Sequence, residues 1–203
     1  MGIYGGDQWG ALSLRSGASY SWNDIKTQRN VTVPSIGGNL RGDYDAGTAQ
    51  IFGELGYRMD VERIAFEPYA GLAYVNLHTG GFAEQGGIAG LNASSQDTNV
   101  GFSTLGLRAS TDFPLQGMDK MTLRGGLGWR HAFDDVDPTV TMAFAGSNGF
   151  TVSGVPIARD AALVEAGFDI AVSKNATVGA FYNGQLAQHT QDHSFKGVLA
   201  VKF

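Results

Sequence analysis

Apolar and polar side chains alternate with a period of two in eight segments of the chain. In residues 121–133, the clearest case, Leu127 and Trp129 lie on one parity while Thr122 and Arg130 lie on the other. Because successive side chains of a strand point to opposite faces, each segment predicts a strand with one apolar and one polar face. The eight predicted strands cover residues 11–22, 48–59, 65–77, 100–111, 121–133, 162–172, 177–185 and 194–203.

The last of these segments ends on an aromatic residue, Phe203. Its apolar face carries Phe195, Leu199 and Val201 as well, and its other face carries Lys196 and Lys202. An amphipathic terminal strand of this kind is typical of a β-barrel whose outer surface faces lipid. A soluble β-sandwich, which also alternates, is the non-membrane alternative.

The connections between the predicted strands alternate in length. Short ones are predicted at residues 60–63, 113–120 and 173–175, and long ones at 27–45, 78–97, 134–159 and 188–193. Short periplasmic turns and longer outer loops are the pattern of bacterial outer-membrane barrels. If Phe203 lies on the periplasmic side, every long connection falls outside. The sequence therefore predicts an all-β, antiparallel transmembrane β-barrel with about eight strands present.

Charged side chains fall on the polar faces, where they need not meet lipid. These predicted lumen residues are Arg15, Glu54, Arg58, Glu67, Arg108, Arg124, Arg130, Glu165 and Asp169, with Lys196 and Lys202 near the chain end. A charge facing lipid at mid-depth would cost about 2–4 kcal/mol. We expect the carboxylates to pair with the arginines inside the barrel. Large aromatic residues near the segment ends predict an interfacial girdle of Trp22, Tyr74, Trp129 and Tyr182.

Composition narrows the functional classes. The chain has 203 residues, no cysteine, 30 glycines and a formal net charge of -5. Absent cysteine excludes disulfides and thiolate metal sites, and the negative charge argues against nucleic acid as a partner. The sequence contains no run of about 18 apolar residues, so it predicts no transmembrane helix. The start of the sequence shows no signal peptide, so we expect that an N-terminal portion of an exported protein is missing.

Catalytic roles have less support in the sequence than a structural role in a barrel. His189 and His193 lie with Asp192 in one predicted outer loop, which suggests a cation site or a protease at the barrel rim. Lumen carboxylates could also cut a linker inside a pore, although pairing with arginines accounts for them. We therefore predict no enzymatic activity and no cofactor. The adjacent Gly125 and Gly126 lie within a strand and predict curvature or close contact with a neighbouring side chain.

Several stretches together resemble a known family. They are Gln8-Trp-Gly10, the Glu-Pro segment of residues 67–74, the Trp-Arg-His segment of residues 128–133, residues 158–167 and the terminal Phe203. This combination is similar to the C-terminal translocator β-domain of bacterial autotransporters, the type V secretion system. The resemblance spans nearly the whole chain.

The resemblance implies a twelve-stranded barrel in the bacterial outer membrane that exports and anchors an N-terminal passenger. Residues 1–203 then form one domain that lacks the first strands, the linker and the passenger. The implied partners are outer-membrane lipid, the chain's own passenger, and the barrel assembly machinery, which would read Lys196, Val201 and Phe203. Gly197 stands one position early for that signal. A complete eight-stranded barrel acting as a structural protein or adhesin is the alternative.

Overall fold

The computed structural model describes residues 1–33, 36, 38–115, 118–133, 136–188 and 190–201. Within these residues no helix is long and apolar enough to cross a membrane. The strands are β1 (Gly2–Trp9), β2 (Leu12–Val31), β3 (Gly38–Tyr57), β4 (Met59–Val61), β5 (Ile64–Thr79), β6 (Phe82–Ala83), β7 (Leu91–Ala93), β8 (Gln96–Leu115), β9 (Met118–Ala132), β10 (Thr139–Phe144), β11 (Phe150–Ser153), β12 (Asp160–Ser173), β13 (Ala176–Leu186) and β14 (Gln191–Val201).

The main sheet is an antiparallel meander in the order β1-β2-β3-β5-β8-β9-β12-β13-β14, with β4 pairing with β5. It curls into part of a barrel. Among the described residues β1 and β14 are its two edges and are not paired with each other. Its strands include all eight predicted ones, and β1 adds a ninth. The predicted all-β antiparallel barrel class is therefore confirmed.

The lengths predicted for two of the long connections are wrong. Residues 27–45 are largely strand, because β2 and β3 stay paired up to Val31 opposite Gly38. The alternation is hidden there because both faces carry polar residues, with Lys26 on one face and Arg29 on the other. At the other end of the chain, β14 begins at Gln191, so the predicted loop of residues 188–193 is a short connection that starts after Leu186.

The two remaining long connections form a second sheet in the order β11-β10-β7-β6. This outer sheet joins the end of β3 through paired backbone hydrogen bonds between Arg41 and Gln85. Arg29 of β2 donates to the carboxylate of Glu84, whose side chain is only 6% exposed. The end of the sheet with the long connections thus carries a second sheet that contacts β2 and β3.

The apolar parity of the main sheet faces outward. Leu72 is 68% exposed and Leu127 is 67% exposed, although both are large apolar residues in mid-strand. A soluble two-layer sandwich would bury these side chains against a second sheet. Exposed apolar residues along several neighbouring strands, with charged residues on the opposite parity, are instead the pattern of a lipid-facing barrel wall.

Candidate functional site

The polar parity of the sheet carries a connected network of ion pairs. Arg15 of β2 and Glu54 of β3 are direct cross-strand partners, with Nη1 2.8 Å from Oε1. Arg108 of β8 reaches the same carboxylate across β5, donating from Nη1 to Oε1 at 2.6 Å and from Nη2 to Oε2 at 2.9 Å. Two parallel hydrogen bonds of this kind fix the geometry as well as the charge pairing. Glu54 therefore links three strands, β2, β3 and β8.

Glu67 of β5 joins the network by reaching over β3. Arg15 donates to it from Nη1 at 2.6 Å and from Nη2 at 3.2 Å. The path lies above Gly56, where a Cβ would stand only 2.9 Å from Oε1 of Glu67. The missing side chain at Gly56 is therefore what allows residues on two non-adjacent strands to meet.

Glu165 of β12 extends the network in the other direction, over β9. Arg108 donates from Nε to its Oε2 at 3.1 Å. A Cβ on Gly126 of β9 would lie 3.2 Å from that oxygen and 3.3 Å from Cγ of Arg108. The predicted close contact at Gly126 is thus present, and its neighbours are the two charged side chains that it separates in the sheet.

Tyr69 forms the floor under the network. Its ring is nearly buried, and the guanidinium carbon of Arg108 lies 3.7 Å from the ring centroid. The ring lies along the wall over Gly106 and Gly128, where added Cβ atoms would stand 2.5 Å and 2.8 Å from it. Arg108 is therefore held by carboxylates at its edges and by an aromatic face below it.

The network lines a cavity of about 500 Å³ on the polar side of the sheet. Arg124 and Lys196 also line it, and Arg124 donates to Asp169 at 2.9 Å. Two predicted lumen residues stand apart from the connected group: Arg58 pairs with Asp60, and Arg130 donates to Gln185 at 2.8 Å. Each predicted lumen residue from Arg15 to Asp169 thus has a polar partner, and five of them, Arg15, Glu54, Glu67, Arg108 and Glu165, form one cluster.

This arrangement pairs charges of opposite sign. Arg15 and Arg108 face three carboxylates, so the cluster holds nearly balanced charge along a wall. The Arg15 side chain is 44% exposed, so solvent reaches the cluster at this residue. Paired and hydrogen-bonded charges of this kind satisfy a polar interior without an unpartnered ion.

The predicted girdle residues all lie on the outward parity, on β2, β5, β9 and β13. Trp22 is 61% exposed, whereas Tyr74, Trp129 and Tyr182 each have a polar partner: Asn99, Asp160 and His193. An aromatic ring with one hydrogen-bonded end suits a membrane interface.

The residues of the predicted assembly signal lie on β14, as far as the structure describes them. Lys196 faces the cavity and Val201 is half exposed on the outward parity. Phe203 lies outside the described residues, as does His189 of the suggested outer-loop site. His193, the other histidine of that site, is bound to the Tyr182 hydroxyl at 2.8 Å.

Sequence reasoning missed Tyr69 and Gly56, and at Gly126 it predicted a close contact without identifying the side chains that make it. Tyr69 and these glycines lie on the polar face of the sheet. From the sequence alone, the charged residues of that face appear independent of one another. The available signal was glycine at inward positions beside charged residues, as at Gly56 and Gly126. Without the register of neighbouring strands, that signal does not say which charges meet.

Comparison with known proteins gives a consistent result. A family model described as the autotransporter beta-domain matches residues 1–183. Two curated proteins from Serratia marcescens, each named extracellular serine protease, are 36% identical to the chain over 204 aligned positions. The alignment covers the whole chain but 19% of each relative, so the chain spans about a fifth of their length.

Proposed function

The chain belongs to the autotransporter beta-domain family, and from this we propose that it exports and anchors an N-terminal passenger at the cell surface. The family's beta-domain is a translocator of the bacterial outer membrane. The short turns of the sheet then face the periplasm and the outer sheet faces the medium. The predicted type of protein and its location are those of the family; passenger export by this particular chain is the proposal.

The separation of the two sheet faces is the observation that supports this function. Leu72, Leu127 and Leu199 project from one face and would contact hydrocarbon. The cluster centred on Arg108 covers the other face and would line the lumen. A polypeptide moving along such a wall meets charges that already have partners. Unpaired ions, which could bind the polypeptide and slow its passage, are therefore not presented by this cluster.

Completion of the barrel requires more strands than the described sheet contains. Barrels of about eight strands have interiors filled by side chains, whereas aqueous channels need larger barrels. The open edges of β1 and β14 leave both ends of the sheet able to pair. We propose that strands supplied elsewhere in the full-length protein join these edges and widen the lumen.

Hydrolysis is not part of the role that we propose for these residues. The Serratia relatives are named serine proteases, but the chain spans only about a fifth of them. In the part of the chain that the structure describes, His78 and His131 are hydrogen-bonded to aspartates and His193 to a tyrosine hydroxyl, and not to a serine. We infer that a protease activity, where a family member has one, lies in the passenger.

The terminal strand carries the second part of the proposal. An edge strand can pair through its backbone with an assembly factor while alternate side chains fill pockets. Lys196, Val201 and Phe203 would supply those side chains to the barrel assembly machinery. Outer-membrane lipid is the remaining partner.

The test uses cells that make the full-length protein to which these residues belong. Protease added outside the cells should digest the passenger of the wild type. Deletion of Phe203 should lower the amount of barrel in the outer membrane at unchanged synthesis, and the passenger should stay protected in the periplasm. The matched control, Lys174→Ala in the turn before β13, should behave as the wild type. Normal surface digestion without Phe203 would exclude the assembly role, and a passenger protected in the wild type would exclude export.

A further inference from the structure

Three histidines occupy corresponding places at the outer end of the sheet. Each lies in a pair of strands joined by an outer connection: His78 in β5 and β8, His131 in β9 and β12, and His193 in β13 and β14. In each pair the histidine Nδ1 is hydrogen-bonded across the strands at 2.8 Å, to Asp97, Asp160 and the Tyr182 hydroxyl respectively. We call these three histidines with their partners the histidine belt.

The histidine belt lies near the outer end of the outward apolar surface. On β9 the outward residues from Met121 to Trp129 are apolar or glycine, and His131 and Phe133 follow. His131 stands about 33 Å from Met121 along the strand, or about 25 Å along the axis of a barrel with strands tilted by about 40°. The apolar band of an outer-membrane barrel is about 25 Å tall. The belt therefore coincides with the layer of lipid head groups on the outer side.

Two rings of the belt have a second nitrogen that points away from their own partners. In His78 and His131, Nδ1 faces the aspartate, which leaves Nε2 at the opposite edge of the ring. The aspartate side chains are more than half exposed, the His78 side chain is 54% exposed, and the His131 side chain is 27% exposed. An imidazole that donates to a carboxylate from Nδ1 donates to a second anion from Nε2 when both ring nitrogens carry a proton.

From this geometry we propose that the histidine belt binds the phosphate groups of outer-leaflet lipids through Nε2 of His78 and His131. The proposal rests on the orientation given under the proposed function. The phosphate supplies the second anion, and the aspartate keeps Nδ1 protonated toward itself. Nearby charges are mixed: Asp45 lies on the strand beside His78, and Arg159 precedes Asp160. The belt thus fixes the depth of the barrel by polar contacts as well as by the apolar band.

Solid-state NMR tests this contact directly. The full-length protein, labelled with ¹⁵N in histidine, is reconstituted into phosphatidylcholine–phosphatidic acid vesicles, and ¹⁵N–³¹P dephasing is recorded. Difference spectra against His78→Gln and His131→Gln assign the signals, and heat-modifiable migration on gels checks that each variant is folded. We expect phosphorus to dephase Nε2 of both residues. Absence of dephasing at both nitrogens would overturn the proposal.

Two further experiments distinguish lipid phosphate from free phosphate and test the role of the aspartate. In phosphate-free glycolipid vesicles with added inorganic phosphate we expect no dephasing, and equal dephasing there would show capture of free phosphate instead of lipid. Asp97→Asn should reduce dephasing at His78 and leave His131 unchanged; an unchanged His78 signal would contradict the aspartate role. Passenger export should be normal in His78→Gln, so failure of export in the wild type would remove the proposed function while the dephasing result still stands.

Discussion

The guanidinium of Arg108 lies 3.7 Å above the ring of Tyr69 and bonds at its edges to Glu54 and Glu165. These four residues come from β8, β5, β3 and β12, so one cation holds together strands that are not all neighbours. Deleting either an edge contact or the aromatic floor should therefore affect the whole sheet.

Replacing Arg108 tests the network. Arg108→Lys keeps the charge but cannot make two parallel bonds to Glu54 and a third to Glu165. We expect the folded barrel to lose on the order of 2 kcal/mol, the scale of one or two hydrogen bonds to charged groups. Urea titration of heat-modifiable migration measures the loss. Arg124→Lys, at a residue with one bond to Asp169, is the matched control and should lose much less; equal losses would mean that the network has no special role.

A second prediction concerns the space beneath the Tyr69 ring. Gly106→Val places side-chain atoms where the ring lies, since a Cβ there would already stand 2.5 Å from it. The ring and Arg108 above it must move, so we expect a clear fall in the temperature of barrel unfolding. Gly53→Ala on the opposite parity meets nothing within 4 Å and should be neutral. A neutral Gly106→Val would contradict the proposed floor.

Arginine substitutions distinguish the two faces. Leu127→Arg puts a charge on the outward face in mid-strand, which costs about 2–4 kcal/mol in a lipid bilayer. Thr122→Arg adds one on the polar face, next to Asp112, to which Thr122 already donates at 2.7 Å. We expect the first variant to fail to assemble and the second to reach the outer membrane at normal levels, as measured by membrane fractionation. Equal tolerance of both would reverse the face assignment.

The outer sheet should loosen in acid. Hydrogen bonds from Arg29 hold the pKa of Glu84 below its usual range. Because the folded state depresses this pKa, the contact stabilises the fold fully above the unfolded value, about 4.3, and that contribution is lost as the pH falls through the folded value. Glu84 also accepts from the Leu91 amide at 3.0 Å.

Hydrogen exchange of the Leu91 amide measures this effect. Protection, corrected for the intrinsic rate, should be high at pH 7 and fall below about pH 4. Glu84→Gln should show weaker protection that does not change over the same range. A wild-type amide whose protection is constant with pH would contradict the role of the Glu84 carboxylate.

Much of the fold could be predicted from the alternation of apolar and polar residues with a period of two. β9 and β12 alternate cleanly, so their positions and faces were predicted within a few residues. The outer ends of β2 and β3 were not, because polar residues occupy both faces there, Lys26 on one face and Arg29 on the other. The strands of the outer sheet are too short to show a period.

The site was predictable as a set of residues but not as a network. Parity alone placed Arg108 and Glu165 on the same face. Their contact depends on Gly126 lying between them in the paired strands, which is a property of the register. Register between strands that are distant in sequence follows from the assembled sheet, so the partners of each charge could not be read from spacing.

The most direct test of the central claim is the environment of each face in a bilayer. The chain has no cysteine, so Leu127→Cys and Thr104→Cys each give a single site in these residues for a fluorescent label. In vesicles, acyl-chain nitroxide lipids should quench the label at 127 and spare the one at 104, while aqueous iodide should do the reverse. Quenching of residue 127 by iodide, with no effect of the nitroxide lipids, would contradict a lipid-facing wall.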